Sequence, residues 1–356
     1  MSLSGLFRGS LPITALALIA TLAIDAASQA VAAPVVGAPY TLATFNGVAP
    51  TGATAPDDLA ISADGKNLWV GYGNGVDTTG AGGPSNLVEY DISSGSVLQN
   101  LTIPGHLDGL KINPTTNDIW ATENEDGNPT LAVVNHKTGK FKISKFAATL
   151  LTGGMDDLVF SGKDSKDVFI VASSQTDPTK PVIVELSGSP KKKNTVVTAA
   201  QTGSPATVWN VVTNAAETGD VIGDPDSMTL DPAGELVLDN RSDDSLYIIR
   251  LTSATNPVLR VPLTLSSAPV EVNDTIFTTS TAGTLYITDT TANVIYTLTK
   301  PYFPANEVYT AANVAGDVGL VDLNTGIVTP VVTGFAGVHG LAFAPTSVAI
   351  APSLER

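Results

Sequence analysis

The chain has 356 residues, with 18 basic against 34 acidic side chains and a formal net charge of −16 at pH 7. That balance argues against a nucleic-acid partner, because phosphate would be repelled. The absence of cysteine excludes disulfides and thiolate metal sites. The length allows one large repeat domain or two ordinary ones, with ample core in either case.

In chain order, Arg8 precedes an apolar run over residues 11–24, and a small-residue stretch ends Val31-Ala32-Ala33 before Pro34. This is the three-part pattern of a secretory signal, with cleavage after Ala33. The run falls short of the roughly 20 residues of a membrane span. The expectation is a signal peptide over 1–33 and a single exported domain over 34–356, periplasmic or extracellular, soluble and monomeric.

A lone strand over 40–45 and a Gly/Pro/Thr linker lead to a first unit of four strands at 58–62, 67–72, 87–92 and 97–103. Asp64-Gly65 supplies a hairpin turn between its first two strands, and a glycine-rich loop spans 73–84. Later strands follow the same order: 118–122, 131–135 and 140–146 in a second unit, and 168–172, 181–186 and 195–199 in a third. The run Lys191-Lys192-Lys193 reads as a solvated outer turn that guards an edge. A fourth unit has 235–238, 246–251 and 258–263, and a fifth has 284–288 and 294–299. The hairpin around Asn324-Thr325-Gly326 belongs to a fifth or sixth unit, or opens a seventh. No segment after the signal keeps a helical period, so the chain reads as all-β.

The opening strand of each unit is written six times. The copies are Pro56-Asp57-Asp58-Leu59-Ala60-Ile61, Leu107-Asp108-Gly109-Leu110-Lys111-Ile112, Met155-Asp156-Asp157-Leu158-Val159-Phe160, Pro225-Asp226-Ser227-Met228-Thr229-Leu230, Val272-Asn273-Asp274-Thr275-Ile276-Phe277 and Val338-His339-Gly340-Leu341-Ala342-Phe343. A repeat with a period of tens of residues marks a solenoid or propeller. Most copies lie about 50 residues apart, one four-stranded blade each; the two longer gaps place insertions near 200–224 and 301–316. A ring has to close to remove its open edge, and the strand at 40–45 is free to complete the last sheet. The expected fold is therefore a β-propeller of six four-stranded blades, closed by the N-terminal strand.

These first strands, the Asp-Gly or x-Gly hairpins, and second strands such as Leu285-Tyr286-Ile287-Thr288-Asp289 resemble the six-bladed propellers of the gluconolactonase/SMP-30, NHL-repeat and paraoxonase-like superfamily. The resemblance covers about residues 40–345 and speaks to architecture more than to function. It implies a divalent ion on the axis, held through Glu, Asp and Asn side chains, and lactonase chemistry. Here the ring is richer in Asp and has no Glu.

First strands of a propeller line its channel, so one column of the repeat forms a ring about the axis: Asp57, Asp108, Asp156, Asp226, Asn273 and His339. Two carboxylates about 6 Å apart repel by roughly 3 kcal/mol at an effective dielectric near 20. Four of them around one tunnel call for a cation or for protons. Oxygen ligands favour Ca²⁺ or Mg²⁺, so calcium on Asp57, Asp108, Asp156, Asp226 and Asn273 is the expected occupant. The alternative is structural, with these acids capping backbone N–H groups or facing water. His339 suits proton transfer or a transition metal better than calcium. The neighbours Asp58, Asp157 and Asp274 should alternate to the opposite face and bind loop amides. His106 lies near the same rim, as a proton-transfer residue or a plain loop histidine. The acidic loop Glu123-Asn124-Glu125-Asp126-Gly127 fails the EF-hand spacing. Trp69 and Trp120 read as blade packing.

Two functions remain open. One is a metal-dependent lactone or ester hydrolase in which the resemblance implies proton transfer by His339, Asp156 or His106. The other is a non-catalytic secreted propeller that binds a small molecule or protein on the same face. The fold alone does not choose between them.

Overall fold

Short segments of apolar residues at period two, each ended by Gly, Asn or Asp, pair with their sequence neighbours and build a chain of strands. The computed structural model describes residues 32–145, 153–161, 167–172, 182–187, 194–196, 206–220, 222–249 and 258–346. The expected signal peptide and the run Lys191-Lys192-Lys193 lie outside them, apart from Ala32 and Ala33.

The described strands fall into six sheets. The first holds Pro56–Ile61, Asn67–Tyr72, Pro84–Asp91 and Val97–Pro104 in that order. The second holds Leu107–Ile112, Ile119–Glu123, Thr130–Val134 and Phe141–Lys145, and the third Met155–Ser161, Asp167–Ala172, Ile183–Ser187 and Asn194–Val196. The fourth begins with Pro225–Leu230, Leu236–Asn240, Ser245–Ile249 and Val258–Pro262. Neighbouring first strands pack against one another around the axis, and Val338–Pro345 packs back against Pro56–Ile61. The architecture is an all-β propeller.

Aliphatic and aromatic side chains fill the spaces between sheets. Leu107, Leu110 and Ile119 of the second sheet bury Trp69 of the first, which is 1% exposed. Trp120 stands edge-on to Phe160 of the third, 5.3 Å between centroids. Both tryptophans are packing residues, as their place on second strands suggested.

The N-terminal strand Thr41–Thr44 pairs antiparallel with Val294–Thr299, with Thr41 opposite Thr299 and Thr44 opposite Tyr296. Phe45 follows it into the core, edge-on to Tyr90 and Tyr286 at 5.6 and 5.7 Å. The two ends of the chain thus share the sixth sheet, in the order Thr41–Thr44, Val294–Thr299, Gly283–Asp289, Val338–Pro345.

That order corrects two expectations. The hairpin at 284–299 does not continue the fifth unit. Asp274–Phe277 pairs instead with Val308–Ala312, followed by Asp317–Asp322 and Ile327–Thr333. The last two sheets are therefore interleaved, and the inserted element of the fifth is the hairpin itself, not residues 301–316. Both hairpins carry the same period, so alternation cannot choose between them. The backbone does so at Thr278, whose N–H donates to Glu307 O at 2.9 Å while Glu307 N–H donates to Thr278 Oγ1 at 3.0 Å. These bonds carry the inner strand directly into its pairing with Val308.

The sheets are also not uniformly four-stranded. Ala206–Asn210 lies parallel to the outer edge of the fourth sheet, against Val258–Pro262, and Ala215–Asp220 extends it. The fifth gains Thr264–Leu265, Ala268–Pro269 and Val35–Val36. Each addition covers backbone groups that an outer edge would leave open.

Candidate functional site

Five of the six first strands break register at the same place. Pairing skips from Pro56 to Leu59, Leu107 to Leu110, Met155 to Leu158, Pro225 to Met228 and Val338 to Leu341. The skipped pair is the Asp-x dipeptide of the repeat in four of them and His339-Gly340 in the fifth. A β-bulge re-aims side chains that plain alternation would send to opposite faces. Both columns line the axial cavity, which corrects the expected alternation: the bulge turns Asp58 and Asp157 there, and Asp274 lines it as well although Asp274–Phe277 pairs without a break.

Asp57, Asp108, Asp156, Asp226, Asn273 and His339 all line one cavity of about 250 Å³, together with Asp58, Asp157 and Asp274. The second column forms a belt. The Asp58 carboxylate accepts from Leu110 N–H at 2.6 Å, Asp157 from Met228 N–H at 2.9 Å, and Asp274 from Leu341 N–H at 2.6 Å. Each acid grips the first strand of the next sheet, not a loop. The intervening belt positions are Gly109, Ser227 and Gly340. A Cβ on Gly109 would stand 2.3 Å from Asp156 O, and one on Gly340 2.5 Å from Asp57 O. Acid and small residue thus alternate around the axis. Lys111 lies among the acids, its Nζ 2.8 Å from Asp157 and 3.2 Å from Asp58.

The first column has few such partners. His339 Nδ1 lies 2.9 Å from Asp57 Oδ1, and Asn273 Nδ2 approaches the same ring nitrogen at 3.0 Å. Burial works against a charge on His339, but the Asp57 carboxylate and then Asp226 overcome it and push the imidazole up to about 9. His339 in turn holds Asp57 below the usual carboxylate range despite its burial. Burial, reinforced by Glu125 and Asp156, holds Asp108 well above that range. Burial likewise raises Asp226 against the pull of Arg241, and it pushes Asp58 up to about 8 against the Lys111 ammonium. A desolvated carboxylate close to its own kind takes up a proton or a cation.

Two groups of side chains present ligand atoms within 4.8 Å of one another: Asp108, Glu125 and Asp156, and Asp57, His106 and Asp108. Either could hold a metal ion. The first is all oxygen, the donor set of a hard cation. The Oδ1 of Asn273, a buried residue in the same cavity, is without a hydrogen-bond partner. Of the expected ligands, Asp57, Asp108 and Asp156 fall in these groups. Asp226 stands instead 3.9 Å from Arg241, and Asn273 turns its amide to His339. His106, near the rim as expected, has Nδ1 3.0 Å from Val76 O. A backbone carbonyl on one ring nitrogen is the arrangement that orients a metal-bound imidazole.

Two lining residues escaped the sequence. Glu125 belongs to the loop dismissed for its spacing. Asn124 anchors that loop through Oδ1, which accepts from His106 N–H at 3.0 Å, and a Cβ on Gly154 would stand 2.0 Å from Glu125 O, so only glycine fits where the next strand begins. Burial, with Asp57 and Asp126 close, pushes Glu125 up to about 7. Arg241 follows the second strand of the fourth sheet, as Glu125 follows that of the second. The usable signal was that position: the residues just past a second strand look onto the axial mouth.

No family model and no curated protein matches the chain. Solved structures do. Virginiamycin B lyase from Staphylococcus aureus is similar at 10% identity and a TM-score of 0.51, covering 86% of this chain and 96% of that one. A gluconolactonase-like protein is similar at 9% identity and 0.49, covering 87% and 90%. A protein of unknown function from Bacteroides caccae is similar at 12% and 0.46, covering 81% and 86%. At these identities the likeness is one of fold.

Proposed function

We propose that this protein is an exported six-bladed propeller that binds a divalent cation at its axial mouth and hydrolyses a lactone or ester there. The supporting observation is the group Asp108, Glu125 and Asp156, whose ligand oxygens lie within 4.8 Å of one another in the axial cavity. Those three residues would hold the ion, and their oxygens favour calcium. A bound divalent cation supplies Lewis acidity toward a carbonyl oxygen. The protein's part is to hold and move the proton. His339, with Nδ1 beside the Asp57 carboxylate and the Asn273 amide in the same cavity, is the residue placed to hold it, and Asp57 is the group it can exchange it with. His106 is the second histidine within reach of the acids. The desolvated walls strengthen every charge interaction inside.

The blade count rests on six first strands, one per sheet, and the export on Arg8, the apolar run and Val31-Ala32-Ala33.

Calorimetry with Ca²⁺, Mg²⁺, Mn²⁺ and Zn²⁺, followed by a lactone and aryl-ester panel with and without chelator, tests the reading. Failure to bind any of the four ions would sink it. Binding without chelator-sensitive turnover would leave a non-catalytic binding propeller.

A further inference from the structure

The cavity lining is acidic almost throughout. Asp57, Asp108, Glu125, Asp156 and Asp226 all face it, and the one permanently charged cation among the described lining residues is Arg241. Its placement is fixed by structure. Arg241 opens a short turn, Arg241–Asp243, and its backbone N–H donates to Asp224 O at 2.9 Å. Its guanidinium is held along one edge: Nε donates to Glu271 Oε1 at 2.9 Å and Nη2 lies 2.8 Å from the same atom. Asp226 stands 3.9 Å from Nε. Nη1 has no hydrogen bond or ion pair among the described residues. A guanidinium presents five donors in a rigid fork suited to planar anions. Glu271 uses one edge of that fork and so orients the other.

We infer that Arg241 is a specificity-determining residue, which selects for this cavity a small ligand bearing a carboxylate beside a hydroxyl or carbonyl oxygen. The inference rests on the cation site proposed above. A cation on Asp108, Glu125 and Asp156 attracts oxygen donors of any kind, including neutral ones. It does not discriminate between an acid and its amide by shape. The other lining acids, Asp57 and Asp226 with the belt of Asp58, Asp157 and Asp274, repel an anion wherever no positive charge faces them. Arg241 supplies that charge at one point of the lining. A ligand with its carboxylate there and a second oxygen toward the cation satisfies both ends. The isosteric neutral amide would put an NH₂ against the guanidinium, donor against donor. Rejection of a mispaired polar group is the stronger form of discrimination.

The probes are lactate and lactamide, titrated by calorimetry into the calcium-loaded protein. Lactate should bind at least tenfold more tightly than lactamide. Arg241→Gln should bring that ratio close to one, and Arg241→Lys, which keeps charge but loses the fork, should keep part of it. Calcium affinity should hold or rise in Arg241→Gln, because a positive charge has left the cavity. A wild-type protein that binds calcium yet shows no preference for lactate overturns the inference and leaves the cation site standing. A preference undiminished in Arg241→Gln overturns it as well. If the wild type binds no calcium, the cation reading fails. The two probes titrated into the metal-free protein then decide the role of Arg241 separately, since an Arg241-dependent preference for lactate would still support it and its absence would not.

Discussion

His339 and Asp57 lie 282 positions apart in the chain, and their side chains meet at 2.9 Å. The contact crosses the seam where the last first strand packs against the first one. Ring closure thus places an imidazole beside a carboxylate that local sequence could never pair with it. The pair also links ionisation to stability. The ordinary imidazole value is 6.5, and the folded protein raises it to about 9. A value raised by folding means that the folded state binds the proton more tightly. The stabilisation is complete below about pH 6.5 and disappears as pH climbs through about 9.

In chelator, the melting temperature of the wild type should therefore exceed that of His339→Gln at pH 6. The gap should narrow steadily up to pH 10. A gap that stays constant across this range would show that His339 contributes by packing and not by charge.

Glu125→Gln removes one carboxylate from the proposed cation site while keeping its shape. Calcium affinity should fall at least tenfold, which is about 1.4 kcal/mol or more. The rise in melting temperature with added calcium should shrink accordingly, since ligand stabilisation at a hundredfold excess over the dissociation constant is about 2.7 kcal/mol. Without metal the variant should be at least as stable as the wild type, because one source of carboxylate repulsion is gone. Equal calcium response in both proteins would remove Glu125 from the site.

Lys111→Met should be among the most damaging single changes. It strands Asp58 and Asp157, whose side chains are 14% and 4% exposed, with no cation between them. Losing one partner of a buried ion pair costs about 3–5 kcal/mol. Urea unfolding at pH 7 measures the loss. Adding Asp157→Asn should recover part of it, and a double variant no better than the single one would mean that the aliphatic stem of Lys111 matters more than its charge.

Removing residues 34–46 deletes the outer strand Thr41–Thr44, the Phe45 contacts and Tyr40, whose hydroxyl meets that of Tyr309 at 3.0 Å. The melting temperature should fall sharply and urea unfolding should lose cooperativity. An unchanged transition would show that the sixth sheet stands without its fourth strand.

The column Asp57, Asp108, Asp156, Asp226, Asn273, His339 was legible because each member precedes an apolar position at the same offset. The structure brings all six to one cavity. The belt was not legible. Period two sends adjacent side chains apart, and nothing in Asp57-Asp58 or Asp156-Asp157 announces the bulge that brings them together. The same limit applies to the last two sheets. Gly283–Asp289 and Val308–Ala312 are both plausible partners for Asp274–Phe277, and only pairing over distance decides between them. Glu125 and Arg241 were hidden for another reason. They sit on loops, where no periodicity links a side chain to the direction in which it points.

The interleaving has a consequence for how the chain is made. The first four sheets are each built from one continuous stretch, so they can form in the order in which they leave the ribosome. The other two cannot. When residue 300 has emerged, Asp274–Phe277 still lacks Val308–Ala312, and Gly283–Asp289 still lacks Val338–Pro345. Thr41–Thr44, made near the start, has had a partner only since Val294–Thr299 appeared. Every strand that closes the ring thus waits on the final stretch of the chain. A nascent protein halted between residues 300 and 307 exposes unpaired edges on two sheets at once, the sixth sheet stays open until Val338–Pro345 has been made, and the cavity that joins Asp57 to His339 does not exist until synthesis has passed both.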